Sequence, residues 1–352
     1  MGGPDNPTMD SIEEQVFALA SDHRAAPDLG RVLVTGAAGF IGSHLVEAVL
    51  PYSTHVRAFV HYNSRNHWGW LEDSDARSNI EVVAGDVRDY ESVLSAMRSC
   101  DTVCHLAALI GIPYSYLDPL AYLRTNIEGT YNVLQAAREC SVANVLITST
   151  SETYGTSQYV PMDESHPLAA QSPYAATKTG ADQLALSYCR SFGLTVKVVR
   201  PFNTYGPRQS SRAIIPTIIC QILSGKPTLR LGNLAPTRDL TFVADTASAF
   251  IAIADCPQCT GTVTNIGTNT EVSVGQLVET IAHLLGVSVA VEVDDVRVRP
   301  SASEVLRLRC NNEKILSLTH WRPAFDLRSG LQKTVDWFRT HGTYHKAEIY
   351  TI

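Results

Sequence analysis

Arg31-Val32-Leu33-Val34-Thr35-Gly36-Ala37-Ala38-Gly39-Phe40-Ile41-Gly42-Ser43-His44-Leu45-Val46 is the stretch on which the fold turns. Residues 31–35 are β-rich and apolar, which predicts a buried strand, and the residues from Phe40 onward carry a helical pattern. Between them, Gly36, Gly39 and Gly42 allow a tight turn and a close approach to the start of the helix. The bare N–H groups at that helix start favour negative charge, and a pyrophosphate is the group such a strand–turn–helix unit receives. The stretch therefore predicts dinucleotide binding, with Gly36, Gly39, Phe40, Ile41 and Gly42 at the cofactor.

From this unit outward, short β-rich runs alternate with helical patterns. The strands expected are Arg31 to Thr35, His55 to Val60, Ile80 to Ala84, Thr102 to His105, Asn144 to Ser149 and Thr195 to Arg200. Helices are expected near Ile41 to Leu50, Tyr90 to Arg98, Tyr122 to Cys140 and Tyr174 to Phe192. That rhythm predicts an α/β protein with a Rossmann-type, doubly wound parallel sheet. After about Phe202 the rhythm becomes irregular and richer in Pro and Gly, with late helices near Ser273 to Leu285 and Asp326 to Thr340. The expected organisation is an N-terminal extension (1–29), a dinucleotide-binding domain with the catalytic residues (30–202), and a smaller C-terminal α/β substrate-binding lobe (203–345) interleaved with the sheet. Within the extension, Ile12, Val16, Phe17 and Leu19 are spaced for a short amphipathic helix.

Composition narrows the function. A net charge of −7 without a basic run argues against nucleic acid. No stretch approaches the about 20 apolar residues of a membrane span. The eight cysteines are scattered through apolar segments, as thiols of a reducing, cytoplasmic protein would be. Cys256 and Cys259 have metal-like spacing but no companion ligands, so no metal site is expected. The first 29 residues lack the basic start and apolar core of a secretion signal.

The chemistry concentrates in two places. Thr148-Ser149-Thr150-Ser151-Glu152-Thr153-Tyr154-Gly155 ends the fifth strand, and Pro173 opens a helix bearing Tyr174 and Lys178. Tyr and Lys four apart share a helix face. A lysine ammonium beside a phenol favours phenolate, the base needed to take a hydroxyl proton as hydride leaves. Thr150 would share a hydrogen bond with the substrate oxygen, with Ser151 beside it. Glu152 supplies a third acid–base group, which a simple oxidation does not need.

The tight glycine spacing, followed downstream by Tyr174 and Lys178, resembles the extended short-chain dehydrogenase/reductase family. That resemblance implies Asp86 and Val87 at the adenine, Leu106, Ala107 and Ala108 along the nicotinamide, and Tyr174 and Lys178 touching both cofactor and substrate. An NAD enzyme of this kind carries an acid at the end of the second strand for the ribose hydroxyls. Here the chain reads Val60-His61-Tyr62-Asn63-Ser64-Arg65, which leaves NADP open beside NAD, and Arg65 could meet a 2′-phosphate.

The run Thr150-Ser151-Glu152-Thr153-Tyr154-Gly155 is similar to the active-site strand of sugar-nucleotide 4,6-dehydratases, especially the GDP-mannose type. The dTDP-glucose type has Asp where this chain has Ser151, so the proton donor to the departing hydroxyl stays open. Arg200-Pro201-Phe202-Asn203-Thr204-Tyr205-Gly206-Pro207-Arg208 matches the family's substrate loop. Pro236 to Leu240 and Arg297 to Glu304 resemble its nucleotide clamp. The resemblance implies Asn203 and Arg208 at the substrate, Arg238 and Arg299 on the diphosphate, and Glu304 on a ribose hydroxyl. Ile110 to Tyr116 and Ser210 to Ile214 look most like dehydratases acting on N-acetylglucosamine nucleotides in legionaminic acid pathways. A homodimer through the Tyr122 to Cys140 and Tyr174 to Phe192 helices is the family's implication.

The expected reaction converts an NDP-hexose to its 4-keto-6-deoxy product. A 5,6-alkene product and 4-epimerisation are the enzymatic alternatives, and a dinucleotide-sensing binding protein is the non-enzymatic one. Glu152 argues against epimerisation, and the set Thr150, Tyr174 and Lys178 argues against a sensor.

Overall fold

The computed structural model describes residues 26–341 apart from residue 299. The helix expected around Ile12 and the phosphate ligand expected at Arg299 lie outside the described residues. The first half supplies β1 (Arg31–Thr35), β2 (His55–His61), β3 (Ile80–Gly85), β4 (Thr102–His105), β5 (Asn144–Thr148) and β6 (Val196–Pro201). The second half adds β7 (Asn203–Tyr205), β8 (Thr228–Leu231), β9 (Thr237–Arg238), β10 (Leu240–Phe242), β11 (Val263–Ile266), β12 (Val272–Ser273), β13 (Ala290–Val293) and β14 (Arg307–Leu308).

Seven strands form one sheet in the order β11-β6-β5-β4-β1-β2-β3, every pair parallel. β1 is buried from Val32 to Thr35, which is why its sequence runs apolar rather than alternating, and β4 is buried along its whole length, with Thr102 and His105 at its ends. All six expected strands are present. The seventh, β11, comes from the region assigned to the substrate lobe and pairs Val263 with Val198. Helix Val243–Ala254, also from that region, packs beside helix Phe40–Val49 on one face of the sheet. Helices Tyr90–Met97, Gly129–Glu139 and Pro173–Phe192 cover the other. The chain thus re-enters the first domain after residue 202, and four-residue β11 is too short for its pattern to stand out from sequence.

Helix Pro173–Phe192 illustrates how local chemistry fixes an element. The Ser172 hydroxyl accepts the Ala175 N–H at 3.1 Å, Pro173 occupies the first turn, and Gly193 ends the helix at φ +70°. The helix expected from Tyr122 to Cys140 divides into Pro119–Tyr122, a π-helical turn at Leu123–Glu128, and Gly129–Glu139.

The smaller lobe gathers helices Ile214–Leu223, Val274–Leu285 and Leu327–His341 around Ile215, Ile218, Leu277, Ile281, Leu331 and Val335. Strand pairs β8/β13 and β7/β10 add Tyr205, Leu229, Leu231, Leu240 and Phe242 to that core, and β12-β9-β14 forms a further three-stranded sheet. No helix among the described residues is long and apolar enough to cross a membrane.

Candidate active site

A parallel sheet presents ligand sites at the carboxyl ends of its strands, at the point where strand order reverses. Here β1 lies between β4 and β2, and the glycine turn leaves β1 at that point. Gly36 takes φ +69°, and a Cβ there would meet the Ala107 nitrogen at 2.7 Å. A Cβ on Gly42 would stand 2.2 Å from the Gly36 carbonyl oxygen. Gly39 is different: its φ is −81°, and an added Cβ would meet only that oxygen, at 3.2 Å. Protein packing therefore forbids a side chain at Gly36 and Gly42 outright and only crowds one at Gly39. Helix Phe40–Val49 starts there with no side-chain cap and no acid in its first turn. A diphosphate fits this start, since it would satisfy bare N–H groups that nothing in the described chain covers. Phe40 and Ile41, expected at the cofactor, lean onto the core of the smaller lobe.

The cofactor side of β4 is held from beneath. The Thr130 hydroxyl donates to the Asn126 carbonyl at 2.6 Å, so it accepts from His105 Nε2–H at 3.2 Å. His105 Nδ1 is then left to accept the Thr35 hydroxyl at 2.7 Å. Thr35 Oγ1 also accepts the Leu106 and Ala107 N–H groups, each at 3.2 Å, which fixes the segment expected along the nicotinamide. Burial, aided by the Lys178 charge, lowers the His105 pKa to about 3, so the ring is neutral.

On the side expected to hold the adenine, Asp86 follows β3 and accepts the Arg88 N–H at 2.9 Å and its guanidinium Nε at 3.0 Å. That pairing holds the carboxyl below its usual range. Val87 is buried against Gly129. β2 ends in His61, whose Nδ1 lies 3.9 Å from Asp86; Arg65 is exposed on a loop that Asn63 organises by accepting the His67 N–H at 3.1 Å and donating to the His67 carbonyl at 2.7 Å.

The expected catalytic residues converge. Tyr174 and Lys178 are buried, and Thr150 makes a hydrogen bond to the Tyr174 phenol. Burial raises the phenol above its ordinary value, the Thr150 hydrogen bond opposes that, and the nearby Glu152 and Asp182 carboxylates add to it. Burial lowers Lys178, against the pull of Asp182. Thr150 also caps the short helical turn Ser151–Tyr154 by accepting the Glu152 N–H at 3.3 Å, which leaves Glu152 half-buried beside the phenol. Ser151 is buried next to it.

Several supporting groups escape a reading of sequence. Asn126, wholly buried in the π-helical turn, accepts the Leu109 N–H at 2.9 Å and donates to the Leu109 carbonyl and to Thr177 Oγ1, each at 3.0 Å. It joins the cofactor strand end to the catalytic helix. The local widening of a π turn has no periodic signature. Asp182, Ser149 and Arg200 form a buried cluster below the site, with Asp182 Oδ2 accepting the Ser149 hydroxyl at 2.5 Å and Arg200 at 2.8 Å. The i, i+4 step from Lys178 to Asp182 was the available signal.

At the substrate end, Asn203 stands at the start of β7 with a buried Oδ1 that has no hydrogen-bond partner, as a group awaiting a ligand would. Arg238 lies 3.4 Å from Glu304, both largely buried, so two of the three expected clamp residues meet. The segment expected as the clamp is tied to the residues just before helix Pro173–Phe192: Tyr116 donates to Ser303 Oγ at 2.5 Å, which donates to the Gln171 carbonyl at 2.8 Å. Arg208, expected at the substrate, is paired within the chain: its guanidinium donates to Glu47 at 2.8 Å and Ser43 at 3.2 Å on the helix after the glycine turn, an anchoring position. Cys256 and Cys259 are buried, and among the described residues no cluster of three or more His, Cys, Asp or Glu side chains is arranged to hold a metal.

Residues 33–334 match the family model described as GDP-mannose 4,6 dehydratase. A human dTDP-D-glucose 4,6-dehydratase is 30% identical, with 88% of this chain and 90% of that protein aligned. A dTDP-glucose 4,6-dehydratase of Streptomyces antibioticus is 33% identical over 88% and 92%. Among solved structures, a dTDP-glucose 4,6-dehydratase from Streptomyces venezuelae with NAD bound superposes at a TM-score of 0.80, 31% identity, covering 88% of this chain and 97% of that one. A UDP-N-acetylglucosamine 4-epimerase from Methanobrevibacter ruminantium also superposes at 0.80, with 29% identity over 89% and 99%. The fold agrees with these relatives, and the chain belongs to the extended short-chain dehydrogenase/reductase family of NAD-dependent sugar-nucleotide epimerases and dehydratases.

Proposed function

We propose that this protein is an NDP-sugar 4,6-dehydratase that uses NAD, converting an NDP-hexose to the NDP-4-keto-6-deoxy-hexose. The observation that carries the reading is the placement of Glu152 beside Tyr174, close enough for its carboxylate to act on the phenol. A third acid–base group at that point serves elimination, whereas exchange of hydride at carbon 4 alone has no use for it.

The residues divide the work by position. The glycine turn and the bare start of helix Phe40–Val49 would hold the NAD diphosphate, with Leu106 to Ala108 along the nicotinamide and Asp86 and Val87 toward the adenine. Bound there, NAD would supply the removal of hydride from carbon 4 and its return to carbon 6. Tyr174, hydrogen-bonded to Thr150 and charge-assisted by Lys178, takes the proton from the carbon-4 hydroxyl. Once carbon 4 is a ketone the carbon-5 proton is acidic, and Glu152 removes it as the carbon-6 hydroxyl leaves with a proton as water. Ser151 or a water would relay that proton. Asn203, Arg238 and Glu304 orient the nucleotide and diphosphate, with Arg299 expected to join Arg238, because a guanidinium fork suits a diphosphate. N-acetylglucosamine nucleotides are the first substrates to try.

The exposed apolar side chains Leu120, Leu123 and Tyr131, beside Ile127 and Leu184, form the face through which two copies would pair. The eight free thiols fit a cytoplasmic enzyme.

The test is incubation with UDP-, GDP-, CDP- and dTDP-hexoses, including N-acetylglucosamine forms, and product mass spectrometry beside Glu152→Gln. Loss of one water, abolished or strongly slowed in the variant, supports the reading, and NMR separates ketone from alkene. A stereoisomer of unchanged mass, formed equally well by the variant, makes the protein an epimerase. Sedimentation of a Leu123→Glu variant tests the pairing face.

A further inference from the structure

Tyr174, Lys178 and Asp182 fall on successive turns of one helix face, and all three are buried. Asp182 is fully buried, yet its carboxylate is used unevenly. Oδ2 accepts both the Ser149 hydroxyl at 2.5 Å and the Arg200 guanidinium at 2.8 Å. Oδ1 has no hydrogen-bond partner at all. A purely structural arginine–carboxylate pair would be expected to use both oxygens in parallel. Here Arg200 gives its Nε to Ser149 Oγ instead, at 3.2 Å, and stacks its guanidinium over the Tyr154 ring at 4.6 Å. An idle oxygen on a buried carboxylate calls for an explanation.

We propose that Asp182 is a positioning residue for the reaction: its carboxylate holds Lys178 as an ammonium ion, and through Lys178 it keeps Tyr174 competent as a base. The groups facing Lys178 leave this task to Asp182. His105, from the end of β4, is held neutral among Thr35 and Thr130. Arg200, from β6, reaches Asp182, Ser149 and the Tyr154 ring and offers Lys178 no negative charge. Glu152, after β5, acts on Tyr174. Without Asp182, burial would favour the neutral amine. The direct effect of Asp182 on Tyr174 runs the other way, because a carboxylate disfavours phenolate; the benefit must come through Lys178.

This inference rests on the reading of Tyr174 and Lys178 as the acid–base pair, so the experiment reads Lys178 itself and not turnover. The chain has six lysines, few enough for NMR of protein labelled with 13C at lysine Cε, the Lys178 signal being assigned by its loss in Lys178→Met. In the wild type the signal should report an ammonium at neutral pH; a neutral amine there overturns the proposal without any variant. In Asp182→Asn, which keeps an acceptor for Ser149 and Arg200, the Lys178 midpoint should fall by about one pH unit or more. An unchanged midpoint overturns it. Ser149→Ala weakens the same anchorage but retains the charge, so a fall as large as that of Asp182→Asn would also overturn it. With an active substrate in hand, the alkaline limb of the pH–rate profile of Asp182→Asn should move to lower pH, where a structural defect would scale the whole profile.

Discussion

The Arg208 guanidinium lies 2.8 Å from the Glu47 carboxylate, and the same Glu47 oxygen accepts the Ser74 hydroxyl at 2.6 Å. One side chain on the helix that starts at the glycine turn thus receives the loop after β7 on one side and the segment after β2 on the other. Arg208 holds φ +67° to reach it. The substrate loop and the cofactor helix are mechanically joined, and Arg208→Ala should weaken dinucleotide binding about threefold to tenfold, the scale of one charge-assisted hydrogen bond. Calorimetric titration with NAD checks this. Unchanged NAD affinity with a raised KM for the sugar nucleotide would return Arg208 to the substrate-facing role that its motif suggests.

The three glycines of the turn should separate by phenotype. Gly36→Ala and Gly42→Ala drive a methyl group into backbone atoms at 2.7 and 2.2 Å, so both should lower thermal stability as well as NAD binding. Gly39→Ala meets only a 3.2 Å contact and should melt near the wild type while binding NAD at least about tenfold more weakly, since its methyl group occupies the approach to the helix start. Equal melting losses in all three would mean that Gly39 serves the turn alone.

The parallel sheet was legible because its buried strands run apolar and its helices amphipathic, and the glycine turn and Tyr174–Lys178 pair were legible because their spacing is local. What escaped was non-local or short. Strand β11 returns from beyond residue 260 to pair with β6, a partnership that no local pattern encodes. Arg208 sits in a recognisable loop, but its partner Glu47 is 161 residues away. Asn126 enters the site only because the helix widens there, and Asp182 reads on paper as one more helix-surface acid until burial shows otherwise.

Loss of the phenol should be a chemical defect and not a folding defect. Tyr174 is packed edge-on against Tyr122, with ring centroids 6.3 Å apart, and Phe preserves that contact while removing a buried hydroxyl. Tyr174→Phe should therefore lower kcat by about 10²–10⁴-fold and leave the melting temperature within a few degrees of the wild type. Steady-state kinetics beside thermal melts decides it; a kcat within tenfold of the wild type would mean that another group takes the proton.

His105 should make the protein sensitive to acid. Its unfolded-state pKa is 6.5 and its folded-state value about 3, lowered first by burial and then by the Lys178 charge. The unfolded chain therefore takes up a proton that the folded chain refuses. The stability this histidine confers is fully present above pH 6.5 and is lost as pH falls from 6.5 toward 3, at about 1.4 kcal/mol per unit while the two states differ by a full proton. His105→Gln keeps groups that can bridge Thr35 and Thr130 but cannot titrate. At neutral pH it should cost about 1–2 kcal/mol for imperfect hydrogen bonds. Between pH 6.5 and 4 the wild type should lose that advantage, and the two unfolding curves should converge or cross. Denaturant unfolding of both proteins across that range is the measurement; a constant difference would show that His105 is not the group that titrates.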